Sequence, residues 1–289
     1  EFPHIHLAVY RHTFCGEKTI LMPTTTLTPP PYSEELKVEF PAEHVLLLTF
    51  NRPKSLNAMT PRMTEELRNV LDWFEVEPQL WCFLIPNLNS AQWNNDQQQD
   101  KTDEQERIAR DVHGFGSLSR RQSRKPIIAA VRGGAYGGGM EILLNCDFVV
   151  AAEDAKFALP EVKRGVLAVQ GGEPPLPPRV SRLQQIPLQP PFADRASELL
   201  LLGRTIDAVD AQMRFGFVNQ IVPPGRVLET ALAVAQEIIA NSPDAVQSTK
   251  EGLLLSQKHN FGDMLRAHLA SAATTRVYKG QNIKVRCVV

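Results

Sequence analysis

The sequence predicts an α/β protein of stacked βα units wound as a repeating spiral, closed by a helical subdomain. Two observations support this. Short apolar runs alternate with amphipathic stretches as far as Glu161, and from Ala193 onward every periodic stretch is helical. At 289 residues and 43% hydrophobic content, the chain can bury one large core, or a core plus a small helical unit. The predicted organisation is a leader over 1–33, a spiral core over 34–192 and a helical region over 193–289.

The leader carries a polar, Pro-rich stretch, Pro23 to Pro31, that lacks the apolar content to fold, and residues 1–21 read as a non-native extension. Strands follow near Leu36–Phe40 and Val45–Phe50. Thr60-Pro61 then supplies a cap and a first-turn proline, opening a helix to about Val76 with Met63, Leu67, Val70, Leu71 and Phe74 inward. Leu80–Ile85 is a third strand, Glu104 to Ser119 a helix with a polar face, and Lys125–Val131 a buried strand. Met140–Cys146 reads as a buried helix and Asp147–Ala152 as a strand, while the strand from Lys156 stops at Pro160. Helices are then expected over Ala196–Leu202, Ala208–Phe215, Val227–Ala240, Ala245–Ser256 and Asp263–Thr274, with no second sheet.

Chemistry concentrates where the buried strand turns into the buried helix. Gly137-Gly138-Gly139 leaves backbone N–H groups open to an anionic oxygen at a helix N-terminus, where the helix dipole also favours negative charge. Glu141 falls in the first turn of that helix among apolar residues, so its carboxyl must be paired, hydrated or raised in pKa. Glu161 follows Pro160 at a strand end, close enough in the fold to converge with Glu141 on one cavity. A glycine turn of this kind also serves close packing alone, so the second acid carries the functional reading.

The long motif Ala129-Ala130-Val131-Arg132-Gly133-Gly134-Ala135-Tyr136-Gly137-Gly138-Gly139-Met140-Glu141, with Asn145-Cys146-Asp147 and Ala155-Lys156-Phe157-Ala158-Leu159-Pro160-Glu161, resembles the crotonase family, the enoyl-CoA hydratase/isomerase superfamily. The resemblance continues in Phe50-Asn51-Arg52-Pro53, Leu56-Asn57-Ala58-Met59, Leu202-Gly203-Arg204 and Gly216-Phe217-Val218-Asn219, and covers roughly residues 36–280. It implies a crotonase-like ββα spiral core followed by a C-terminal helical subdomain. It also implies that Glu141 and Glu161 are the two catalytic acids, and that Gly138 donates its N–H to a thioester carbonyl with Gly137 beside it. The loop at Asn57 and Ala58 would lie along the pantetheine arm. The implied reaction adds water to, or removes it from, a 2-enoyl-CoA thioester through an enolate. Coenzyme A is then part of the substrate, with no separate cofactor and no metal, and the assembly is a homotrimer or a dimer of trimers. The apolar stripe Leu253, Leu254, Leu265, Leu269 lies in the matching assembly region.

Three segments depart from the family pattern. Pro86 to Trp93 replaces a loop whose Ala-Gly-x-Asp backbone supplies the other oxyanion donor, and the chain has no glycine between Gly16 and Gly114. Seven prolines from Pro174 to Pro191 occupy a region where relatives enter a helix. The stretch from Lys284 to Val289 stops where relatives continue into a closing helix, so the helical region is expected to be truncated. Two alternatives therefore stay beside the hydratase reading: a Δ3,Δ2-enoyl-CoA isomerase, and a catalytically impaired acyl-CoA-binding protein.

A formal net charge of −1 gives no electrostatic basis for binding nucleic acid or an anionic membrane. No apolar run reaches the ~18–20 residues that span a bilayer. Four cysteines without disulfide or metal spacing fit a reducing, intracellular compartment. His113 has no activated nucleophile suggested nearby, His259 and His268 lack partner carboxylates at ligand spacing, and the basic run from Arg120 to Lys125 reads as a solvated helix end.

Overall fold

The computed structural model describes residues 27–86, 88, 112–165, 168, 191–257 and 259–279. An antiparallel hairpin of β1 (Leu36–Ala42) and β2 (Val45–Phe50) leads into α1 (Pro61–Val76). Thr60 Oγ1 accepts the Met63 N–H at 3.1 Å, and Pro61 stands where the helix needs no donor. Met63, Leu67, Val70, Leu71 and Phe74 are each at most 1% exposed, so the inward face is the one that the apolar spacing predicts.

After β3 (Cys82–Pro86) and β4 (Ile127–Val131), the chain steps into a second layer as β5 (Gly134–Tyr136) and returns along α2 (Gly138–Asn145). The same step recurs from β6 (Phe148–Ala152) to β7 (Lys156–Ala158). Then come α3 (Pro191–Leu202), β8 (Ile206–Asp207), α4 (Ala208–Met213), β9 (Gln220–Val222), α5 (Val227–Ile239), α6 (Pro243–Leu255), α7 (Phe261–Ala270) and α8 (Ala272–Tyr278). One sheet has six strands in the order β1-β2-β3-β4-β6-β9, and the other has three in the order β5-β7-β8. The strand-strand-helix step β4-β5-α2 is one turn of the spiral that the resemblance implies.

Several expectations need correction. Beyond Ala193 the chain is not purely helical: Ile206 pairs with Phe157 in the second sheet, and Ile221 pairs with Ala151 at the edge of the first. Strands of two and three residues are too short for a period-2 pattern to register, and backbone pairing with β7 and β6 selects them. Of the helix expected over Glu104 to Ser119, residues 104–111 lie outside the described residues, and Phe115–Ser117 is a 3₁₀ turn. Gly116 at φ 59° and Ser117 at φ 55° cannot continue a right-handed helix. The single helix expected over Asp263–Thr274 is divided at Ser271, whose extended backbone ends α7 and whose Oγ accepts the Thr274 N–H at 3.2 Å to cap α8.

The basic run is an anchor rather than a solvated end. Lys125 is 4% exposed; its Nζ donates to the Phe74 and Glu77 carbonyls at the C-terminus of α1 and lies 4.8 Å from the Phe74 ring centre. Those carbonyls have no partner within the helix, so a cation there is favourable, although burial pulls the Lys125 pKa down to about 8. Nearby, Lys250 Nζ lies 2.6 Å from Asp147 Oδ2, which also accepts the Ile127 N–H. Lys250→Met should cost about 3 kcal/mol, because Asp147 would keep a largely buried charge without its cation. A urea midpoint within error of the parent protein would contradict this.

Candidate active site

The second layer brings the segments that carry the candidate acids side by side. Tyr136 and Ala158 are in register across β5 and β7, so the chain leaves both strand ends side by side, toward Gly137-Gly138 on one and Leu159-Pro160-Glu161 on the other. Gly137 takes φ 52°, ψ −127°, which a residue with a Cβ rarely adopts, and its N–H donates to the Ala158 carbonyl at 3.1 Å. That bond ties the glycine turn to the strand carrying Glu161. It also commits the Gly137 N–H, so Gly137 contributes through the turn. The Gly138 N–H, at the first position of α2, has no carbonyl within the helix to reach.

Glu141 sits one turn into α2 and is 4% exposed, with Met140, Ile142, Leu143 and Leu144 around it fully buried. Glu161 opens a 3₁₀ turn, Glu161–Arg164. It is half-buried, and its Oε2 is enclosed without a hydrogen-bond partner among the described residues. Burial pushes the Glu161 carboxyl above the ordinary glutamate range, against the opposing pull of its own backbone N–H and of Arg164.

A carboxyl whose pKa is higher in the folded than in the unfolded state is stabilising when protonated, and that advantage is lost as pH rises through the folded value. Glu161→Gln should therefore raise the thermal midpoint at about pH 7.5, and the gain should vanish at about pH 3, below the ordinary glutamate range. An equal gain at both pH values would show that ionisation of Glu161 is not the cause.

Asn57 and Ala58 lie on a loop that Arg52 organises. Asn57 has φ 57°, its Oδ1 accepts the Arg52 N–H at 2.9 Å, and its own N–H donates to the Arg52 carbonyl at 2.9 Å. The Ala58 N–H donates to Ser55, and the Ala58 carbonyl accepts from Arg52 Nη1, whose Nε pairs with Glu35 at 3.1 Å. With both N–H groups engaged, a ligand would find acceptor capacity here, since a carbonyl has two lone pairs. Reading the sequence singled out the loop but not Arg52. The Asn51-Arg52-Pro53 triplet just before the loop was the available signal.

After β3, only Pro86 and Leu88 of the expected donor loop are described; the rest of 86–93 lies outside the described residues. Pro86 has no N–H to give and pairs with Ala130, while Leu88 is fully buried. The proline-rich stretch from Pro174 to Pro190 and the segment from Lys284 to Val289 also lie outside the described residues. Among the described residues, no group of three or more His, Cys, Asp or Glu could hold a metal ion, and no helix is long and apolar enough to cross a membrane.

A buried Glu141, a half-buried Glu161 and a helix-terminal N–H that the helix itself does not engage are groups able to move a proton on and off carbon next to a polarised carbonyl. Comparison with known proteins agrees with that chemistry. Residues 41–273 match the profile of the enoyl-CoA hydratase/isomerase family. The chain is 40% identical over 242 residues to mevalonyl-coenzyme A hydratase SIDH of Beauveria bassiana, covering 78% of this chain and 80% of that protein. It is 37% identical over 244 residues to the mevalonyl-coenzyme A hydratase sidH of Aspergillus fumigatus, with 82% of each covered. The crystal structure of enoyl-CoA hydratase EchA1 from Mycobacterium marinum superposes with a TM-score of 0.68 at 29% identity, over 85% of this chain and 91% of that one.

Proposed function

We propose, since this chain belongs to the enoyl-CoA hydratase/isomerase family, that it is a hydro-lyase acting on a branched 3-hydroxyacyl-CoA of the mevalonyl type and on the matching 2-enoyl-CoA. The observation that supports this reading is the Tyr136–Ala158 register, from which the chain runs on one side into the helix carrying Gly138 and Glu141 and on the other into the turn carrying Glu161. In the hydration direction, one carboxylate takes a proton from water as the oxygen bonds to C3. The C2=C3 electron pair moves onto the thioester oxygen, the Gly138 N–H stabilises that oxygen, and the other carboxyl delivers a proton to C2. The raised pKa of Glu161 supports its role as the group holding the proton for C2. Dehydration is the same path reversed. Coenzyme A enters as part of the substrate, and the reaction needs no further cofactor.

The test compares 5-hydroxy-3-methylpent-2-enoyl-CoA with crotonyl-CoA as substrates for the purified protein, following loss of the conjugated thioester absorbance. Faster consumption of the branched hydroxy-substrate is expected. Preference for crotonyl-CoA would overturn the substrate class, and absence of hydration with thioester binding retained would favour the acyl-CoA-binding alternative.

The same reading includes a homotrimer, with pairing of trimers, built through the C-terminal helices. Of the stripe, Leu254 is half-buried, but Leu253, Leu265 and Leu269 are 49%, 40% and 56% exposed and α7 has no buried residue, so most of it does not pack on the chain's own core. A helix with an apolar stripe left in water is better satisfied against another copy. Leu265→Glu combined with Leu269→Glu should convert the assembly to monomer in sedimentation at micromolar concentration. Parent protein that sediments only as monomer would refute this.

A further inference from the structure

A Cβ added at Gly138 would lie 2.4 to 2.6 Å from Cε1, Cδ1 and Cζ of Phe115, so the ring fills the space a side chain would take. Phe115 is 5% exposed and sits in the tight turn Gly114–Ser117, where the Ser117 N–H donates to the Gly114 carbonyl at 2.9 Å. The turn is itself wedged. A Cβ at Gly116 would lie 2.9 Å from Met59 Cε and 3.2 Å from Ile142 Cδ1, so the turn separates the residue after Ala58 from the middle of α2 by little more than a methyl group. At the far end of α2, Asn145 Nδ2 donates to the Leu118 and Arg121 carbonyls at 2.7 and 2.8 Å. Arg121 Nε closes back on the Ser117 carbonyl at 2.9 Å.

We propose that the segment from Phe115 to Arg121 is a splint along α2, and that Phe115 is a positioning residue that sets the Gly138 N–H toward the substrate carbonyl. The helix is held at both ends by the same short segment, through the ring at Gly138 and through the Asn145 amide. Rotation or sliding of α2 would move its N-terminal N–H groups, and a displacement near 1 Å at a reacting group costs about 10²-fold in rate. The segment also touches Met59, so the loop carrying Asn57 and Ala58 and the glycine turn are referenced to one wedge. The inference rests on the hydro-lyase reading, with Gly138 as the oxyanion donor.

The experiment reads turnover, KM and the carbonyl stretching frequency of a bound enoyl-CoA for the parent, Phe115→Leu, Gly138→Ala and the Phe115→Ala/Gly138→Ala pair. The parent should lower the carbonyl frequency of the bound thioester. Phe115→Leu should lose most of that lowering and at least about tenfold in kcat, with KM within about threefold. Gly138→Ala should be nearly inactive, because its methyl meets the ring. The pair should recover part of that loss, since the methyl then has room and the N–H is retained. Unchanged kcat and frequency in Phe115→Leu would overturn the proposal, as would equal losses of affinity and turnover with the frequency shift intact. A pair no more active than Gly138→Ala alone would do so too, and this readout remains if Phe115→Leu does not fold. A parent protein that neither hydrates nor polarises a bound enoyl-CoA would overturn the lyase reading first and the splint with it, whereas an active parent with an indifferent Phe115 sinks the splint alone.

Discussion

Glu141→Gln and Glu161→Gln should each remove nearly all hydration, by about 10²–10⁴-fold, while leaving CoA-thioester binding within a few fold. The amide has nearly the shape of the carboxyl, so packing around Glu141, where Ile142, Leu143 and Leu144 are fully buried, is little disturbed. What is lost is the ability to cycle a proton. Because both groups act on one water and one enolate, the double variant should be little slower than either single one. Binding is measured by calorimetry with a non-reactive thioester, and turnover by the loss of conjugated absorbance. Full activity in either single variant would remove that residue from the mechanism.

Long, strongly periodic segments were legible in the sequence. All five inward residues of α1 follow from 3.6-residue spacing, and its start follows from Thr60-Pro61, because both signals are local. The glycine turn and the burial of Glu141 were legible for a related reason: few residues tolerate the backbone at Gly137, and a Glu in an apolar helix demands an explanation. Tertiary pairing was not legible. β8 is a strand because Ile206 meets Phe157, far away in sequence. Lys125 and Arg121 look like solvent-facing charges until the end of α1 arrives to use them, through the Phe74 and Glu77 carbonyls and through Asp72. Phe115 was not legible because the helix expected there hides the turn that Gly114 and Gly116 make, and because its partner Gly138 is distant in the chain.

On the proposed hydro-lyase mechanism, the segment after β3 should limit turnover. An enolate-like transition state served by two preorganised N–H donors loses on the order of 3 kcal/mol when one is absent. The family resemblance implies a first donor from a glycine-containing loop, whereas here Pro86 has no N–H and the next glycine along the chain is Gly114. The pantetheine contacts that the family resemblance implies at Asn57 and Ala58 would be less affected, because those residues belong to a loop organised by Arg52. Turnover should therefore suffer far more than binding. Replacing Pro86–Trp93 by an Ala-Gly-x-Asp loop of family length should raise kcat by at least ~10² with KM little changed. Leu88 is fully buried, so the graft must keep an apolar residue at that depth, and a thermal midpoint equal to the parent's checks that it does. Equal turnover in the two proteins would mean that another group already fills the second donor position, with Asn87 and Asn89 as the first residues to substitute.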